Sequence, residues 1–258
     1  MPDVSALVRR LSHRQHQYHC LSPECPSSAA GVVGTAGVMV TLHRSATGPL
    51  LRALRSSQMP PPMLYPWGSR HVYESLLETP RPAILDVPRS RSPDCLEERI
   101  RVLGRLAPVI ALVPAGVDAS RLLDAGAANV LRRDMPVREL AARLLADQRW
   151  FAAVGAPAPR RQSVLPPSAH SGRGTGWLLL NLLLSSERPW FWHELCLLLG
   201  TGDQPLDRRA LRARVERLRW YAARYGVSVR VDVRWGLTSF TAEPSIPSAP
   251  CLLRTDRS

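Results

Sequence analysis

Residues 206–240 read LDRRALRARVERLRWYAARYGVSVRVDVRWGLTSF. Leu211, Val215, Leu218 and Ala222 recur at 4-3-4 spacing, which gathers them on one face of a helix over Leu206–Tyr225. Arg209, Arg212, Glu216 and Arg219 fall away from that stripe. From Val227 the period changes to two. Val227–Val233 and Leu237–Ala242 alternate on either side of Arg234-Trp235-Gly236, the pattern of a hairpin with a basic tip. A basic helix fits the DNA major groove, and a basic β-tip beside it reaches the neighbouring backbone or minor groove. The plainer alternative is a solvated arginine face, as on many exposed helices. The adjoining hairpin is what sets this stretch apart.

The charge of the whole chain points the same way. Of a net +13 over 258 residues, residues 151–258 hold more than half, with 15 Arg against 8 acids. Such asymmetry implies a polyanionic partner for the C-terminal part. The sequence has no Lys at all, and its heavy use of Ala, Arg, Pro and Gly matches a high-GC genome of the actinobacterial kind, so part of the charge is background. A hydrophobic content of 45% supports real cores and excludes wholesale disorder. Five cysteines, at 20, 25, 95, 196 and 251, form no regular framework, and a reducing cytoplasm is the expected location. No apolar run approaches the roughly 18–20 residues that span a bilayer, and no secretory signal is expected.

Upstream, residues 1–36 read as a tail. His13, His16, His19, Cys20 and Cys25 lie there at spacings that match no established zinc pattern, so no metal is expected. Between residues 37 and 151 apolar runs alternate with helical spacing. Val38–Leu42, Met63–Pro66, Ala83–Val87, Val109–Val113 and Asn129–Leu131 read as strands. Pro49–Gln58, His71–Glu78, Leu96–Leu106, Ala119–Ala125 and Val137–Phe151 read as helices. Repeated βα units predict an α/β fold, a five-stranded parallel sheet doubly wound with helices on both faces. Residues 152–170 are rich in Pro and Ala and read as a linker. Residues 171–243 form a second, α+β domain: apolar helices at Trp177–Leu184 and Phe191–Leu199, then the basic helix and hairpin. Residues 244–258 read as a C-terminal tail. Trp177, Trp190 and Trp192 are expected in the core, with Trp220 and Tyr221 partly so. His193 and Glu194 lack a third partner for acid–base chemistry, Gly172–Gly176 is too short for a phosphate loop, and no enzyme is expected.

This order of elements resembles a response regulator of the OmpR/PhoB type over roughly Gly37–Glu243. Three stretches carry the resemblance. Arg81-Pro-Ala-Ile-Leu-Asp86 is similar to the strand that ends in the phospho-accepting Asp. Asp124–Leu131 with Arg133 and Val137–Leu140 is similar to the region leading into the last receiver helix. Ala213–Arg219 and Val233–Phe240 are similar to a recognition helix and wing. The resemblance implies a flavodoxin-like receiver domain, a winged helix-turn-helix and binding to double-stranded DNA. It also implies a homodimer through the receiver-like domain, with the dimer surface over Leu122–Ala146.

The departures from that family are informative. The two acids that hold Mg²⁺ in a working receiver answer to Leu42 and His43, and Leu supplies no oxygen ligand. The hydroxyl residue after the fourth strand answers to Val113, and the Lys near the fifth to Arg133, whose guanidinium has a different shape. Only Asp86 survives of that set. The expectation is a degenerate receiver that ordinary aspartyl phosphorylation does not switch and that needs no cofactor. Its regulation then falls to protein amount, constitutive dimerisation, a protein partner, or a small molecule in the old acidic pocket.

For DNA contact, Arg208 and Arg209 in the first turn are the expected base readers, Arg212 lies on the side that DNA approaches, and Arg217 and Arg219 are the phosphate clamps. Arg234 is expected to grip phosphate or enter the minor groove, with Trp235 bracing the tip. A second reading stays open, in which the chain is a non-DNA-binding adaptor, with the receiver-like domain as a protein–protein module.

Overall fold

The computed structural model describes residues 37–57, 59–79, 81–88, 93–154 and 175–245. Its first half is a sheet of β1 (Val38–Thr41), β2 (Met63–Pro66), β3 (Ala83–Asp86), β4 (Val109–Val113) and β5 (Asn129–Arg132). All neighbours pair in parallel, in the order β2-β1-β3-β4-β5. That is the flavodoxin-like order of a doubly wound sheet. The central strands β1, β3 and β4 are buried along their whole length, which is why they read as apolar runs up to the closing Thr41 and Asp86. The edge strands β2 and β5 are partly exposed.

Alternate residues feed two layers. Met39, Ile84, Ile110 and Leu112 point to one face, where they meet α1 (Arg44–Ser56) and α5 (Val137–Val154). Val38, Val40, Leu85 and Val109 point to the other. There they meet α2 (Arg70–Glu78), α3 (Pro93–Gly104) and Leu122 of α4 (Ala119–Asp124). Helix α5 runs to Val154, so residues 152–154 belong to a helix and the linker expectation is corrected there; its remainder lies outside the described residues.

The second half runs α6 (Thr175–Ser185), β6 (Trp190–Phe191), α7 (Trp192–Leu199), α8 (Arg208–Ala223), β7 (Val227–Arg234) and β8 (Leu237–Pro244). Strand β6 pairs with β8, and β8 with β7, in an antiparallel sheet of order β6-β8-β7. Phe191, expected in a helix, closes this short strand instead, because Trp190 and Phe191 register with Phe240 and Ser239. Trp177 and Trp190 are in the core as expected, and Trp192 is half-buried. Trp220 is 69% exposed, a correction, since it lies well round the helix from Leu218. Among the described residues no helix is long and apolar enough to cross a membrane.

The two halves share one hydrophobic core. The layer under α2 and α3 continues without a break into the leucines of α6 and α7. Polar contacts stitch the same seam. Trp67 Nε1 donates to Leu197 O at 2.8 Å, and Tyr73 Oη to Leu198 O at 2.6 Å. Arg99 Nη2 donates to Gly202 O at 3.0 Å, and its guanidinium lies 4.8 Å from the centre of the Trp67 ring. Arg105 pairs with Glu194, donates to Ser186 Oγ at 2.7 Å and stacks on Trp190 at 3.7 Å. Its partial burial lowers the guanidinium pKa, and Glu194 opposes that shift. At Gly68, with φ +80, a Cβ would stand 1.7 Å from Gly200 O, so only glycine lets the backbones meet.

Removing one of these donors strands a buried carbonyl, at a cost of about 1–3 kcal/mol. Tyr73→Phe and Trp67→Phe are each expected to lower stability by that amount in urea titrations. The loss should come as a single transition, with both halves unfolding together.

Candidate nucleic-acid interface

Helix α8 is started by Asp207, whose carboxylate accepts the Arg209 and Ala210 amides at 2.9 and 3.3 Å. The Leu206 amide donates to Cys196 O at 2.7 Å, which sets the helix start directly against the end of α7. Leu211, Val215, Leu218 and Ala222 are buried, the four positions that the spacing assigned to the core. The opposite wall is the hairpin. Val227, Val229, Phe240 and Ala242 on its inner face are buried, but Val231 and Val233 continue that face beyond the core at 37% and 68% exposure.

Between helix and hairpin lies a cleft of about 450 Å³. Arg208, Arg209, Arg212 and Arg219 line it from α8, and Val231, Val233, Thr238 and Phe240 from the strands. Arg208 is held 4.8 Å from the centre of the Trp192 ring. Among the described residues Arg209 and Arg212 have no carboxylate partner, and Arg219 reaches Glu216 at only 3.9 Å on the surface. An exposed pair of that kind contributes little. The helix wall of the cleft thus carries four Arg against Asp207 and Glu216, and the strand wall is mostly apolar.

Arg217 does not line the cleft. It stands about 140° round the helix from Arg212. Arg234 and Trp235 lie beyond the cleft at the hairpin tip. Trp235 and Gly236 have φ of 53 and 75, both positive, as a two-residue type I′ turn requires. Trp235 is 100% exposed, so it braces nothing, a correction: it stands in the turn past the last paired residues, Arg234 and Leu237. Sequence reasoning also missed Trp192, Val231 and Val233 as cleft walls. The only signal for the valines was a hairpin that outruns the buried stripe of α8.

The surroundings of Asp86 form a second cluster. Asp86, at the C-terminal end of β3, is fully buried. Thr47 donates to its Oδ2 at 2.5 Å, and Arg133 Nε to its Oδ1 at 2.8 Å. Arg133 Nη2 also donates to Ala46 O at 2.5 Å. Because Thr47 gives its single proton to the carboxylate, the Thr41 hydroxyl, 2.6 Å away, is the donor between the two threonines. Leu42 and Val113 are buried beside this cluster in the apolar core, and His43 is half-buried at the start of α1. Neither Thr41 nor Thr47 was singled out from the sequence, where each is one hydroxyl in a Ser/Thr-containing segment. Among the described residues no group of three His, Cys, Asp or Glu is placed to hold a metal. His13, His16, His19, Cys20 and Cys25 lie outside the described residues.

No family model matches the chain, and no curated protein matches it. Solved structures overlay on it at low sequence identity. A Burkholderia pseudomallei protein described as pilus assembly-related overlays at a TM-score of 0.36 and 15% identity, over 47% of this chain and 96% of its own. A member of a family of streptococcal redox sensors, which evolved from two-component response regulators, overlays at 0.33 and 14%, over 81% and 100%. The response regulator ChrA of a heme-sensing two-component system overlays at 0.33 and 13%, over 74% and 91%. Overlays with TM-scores this low carry no argument. The first half is receiver-like on its own strand order, a five-stranded parallel sheet with helices on both faces.

Two stability measurements check these clusters. Asp86→Ala leaves the Arg133 guanidinium unpaired and is expected to cost about 3–5 kcal/mol, read by chemical denaturation. Trp235→Asn puts a residue suited to positive φ beside Gly236 and is expected to stabilise by about 1 kcal/mol, read as a higher Tm.

Proposed function

We propose that the chain is a DNA-binding transcriptional regulator of the atypical response-regulator kind. Residues 175–245 then act as a winged helix-turn-helix, with α7 and α8 as the helix pair and the β7–β8 hairpin as the wing. The observation that carries this reading is the cleft between the arginine stripe of α8 and the projecting hairpin. A duplex backbone laid along it meets Arg208, Arg209, Arg212 and Arg219 on one side and the apolar strand face on the other. With phosphates held there, the start of α8 stands over the major groove. Arg217 is reassigned in this reading, since its position off the stripe suits solvent better than phosphate.

Control by aspartyl phosphorylation is poorly served. Asp86 is buried and already holds Thr47 and Arg133, while Leu42 and Val113 offer neither metal ligand nor hydroxyl. Two copies are proposed to meet through Leu122–Ala146, where Leu123 is 48% exposed. The adaptor reading is favoured by one observation, the exposed Val233, Trp235 and Leu237 of the hairpin, which would equally suit a protein partner.

The test is a binding titration against DNA fragments at several salt concentrations. Five phosphate contacts, from Arg208, Arg209, Arg212, Arg219 and Arg234, give a slope of log K against log salt of about −4 to −5. The pair Arg212→Ala and Arg234→Ala should flatten it by about 2. A salt-independent association, or none, would favour the adaptor. Acetyl phosphate with Mg²⁺ is expected to leave Asp86 unmodified by intact-mass spectrometry.

A further inference from the structure

We infer that the hairpin tip is an apolar wedge for the duplex minor groove, in which Trp235 enters between base pairs and bends the DNA. This rests on the DNA-binding reading and adds to it what the tip does there. Four observations carry it. Trp235 occupies a left-handed conformation, φ 53, that a bulky residue adopts only at a cost, yet its side chain is wholly exposed. A strained residue that packs on nothing among the described residues is a candidate for contact outside the chain. Apolar surface surrounds it, because Val233 and Leu237 are 68% and 54% exposed.

Reach is adequate. At about 3.3 Å per residue, the strand carries Trp235 roughly 13 Å past Val231, beyond the minor-groove depth of about 7.5 Å. Charge selects the partner. Arg234 precedes the wedge and the arginine stripe faces it across the cleft, so the tip is presented to a polyanion. An anionic membrane shares that charge but takes up broad apolar faces laid along its surface. A narrow tip beside a groove-sized cleft fits the duplex better. Apolar side chains pushed into the minor groove unstack a base step and kink the helix by about 20–90°.

The experiment uses the full chain and a short duplex that it selects from a random-sequence pool, labelled at both ends for energy transfer. Wild type and Trp235→Phe are expected to raise transfer on binding. Trp235→Ala should bind about tenfold more weakly and leave the duplex nearly straight. The difference in emission between wild type and Trp235→Phe isolates Trp235 among the 7 tryptophans and should be quenched by the duplex. Equal bending by Trp235→Ala, or no bending by wild type, overturns the wedge and leaves DNA binding standing. If no duplex is selected, the DNA-binding reading falls and the wedge with it. If vesicles of phosphatidylglycerol and phosphatidylcholine shift the Trp235 emission while the duplex does not, the tip belongs to a membrane surface and the inference is overturned.

Discussion

The end of α7 is where the structure is decided. A helix leaves its last carbonyls without partners, and this helix is short, eight residues. Here those acceptors are met from elsewhere in the chain: Cys196 O by the Leu206 amide, Leu197 O by Trp67, and Leu198 O by Tyr73. Arg99 adds a positive charge beside the negative end of the helix dipole by donating to Gly202 O. The sheet half thus supplies the C-terminal cap of a helix in the other half. Since Leu206 immediately precedes the cap of α8, the same contacts fix where the arginine stripe begins.

Much of the sheet half was legible because its physics is local. VMVT, AILD and VIALV are apolar but for a closing Thr41 and Asp86, since both faces of a central parallel strand are covered, and no half-exposed strand reads that way. The start of α1 was hidden by Pro49, which lies inside the helix where a proline ordinarily marks its first turn. The seam had no signature at all. Trp67 and Leu197 are 130 positions apart, and the acceptor is a backbone carbonyl, which every residue carries. Rich in leucine, α6 and α7 announced burial, but not against what.

The candidate site divides in the same manner. The stripe of Arg209, Arg212 and Arg219 follows from helical spacing alone. The apolar wall does not, because alternation in Val227–Val233 says which face a valine takes and not whether the core extends that far. Trp235 was misread because turns with positive φ ordinarily use Gly, Asn or Asp. In the Asp86 cluster the sequence showed which charges were missing. It did not show that Thr47 and Arg133 already complete the carboxylate.

The shared core has a consequence for symmetry. In a protein whose two halves hang on a free tether, the reading heads of a pair can slide apart to suit whatever spacing the DNA offers. Here Gly68 and Gly200 meet backbone to backbone across the seam, and α8 starts from the helix that the seam caps. Any pairing made on the sheet side therefore fixes the angle and separation of two arginine stripes as a single geometry. On the DNA-binding reading, the tolerance for spacing is then set by packing, as in a ruler, rather than by chain length, as in a leash.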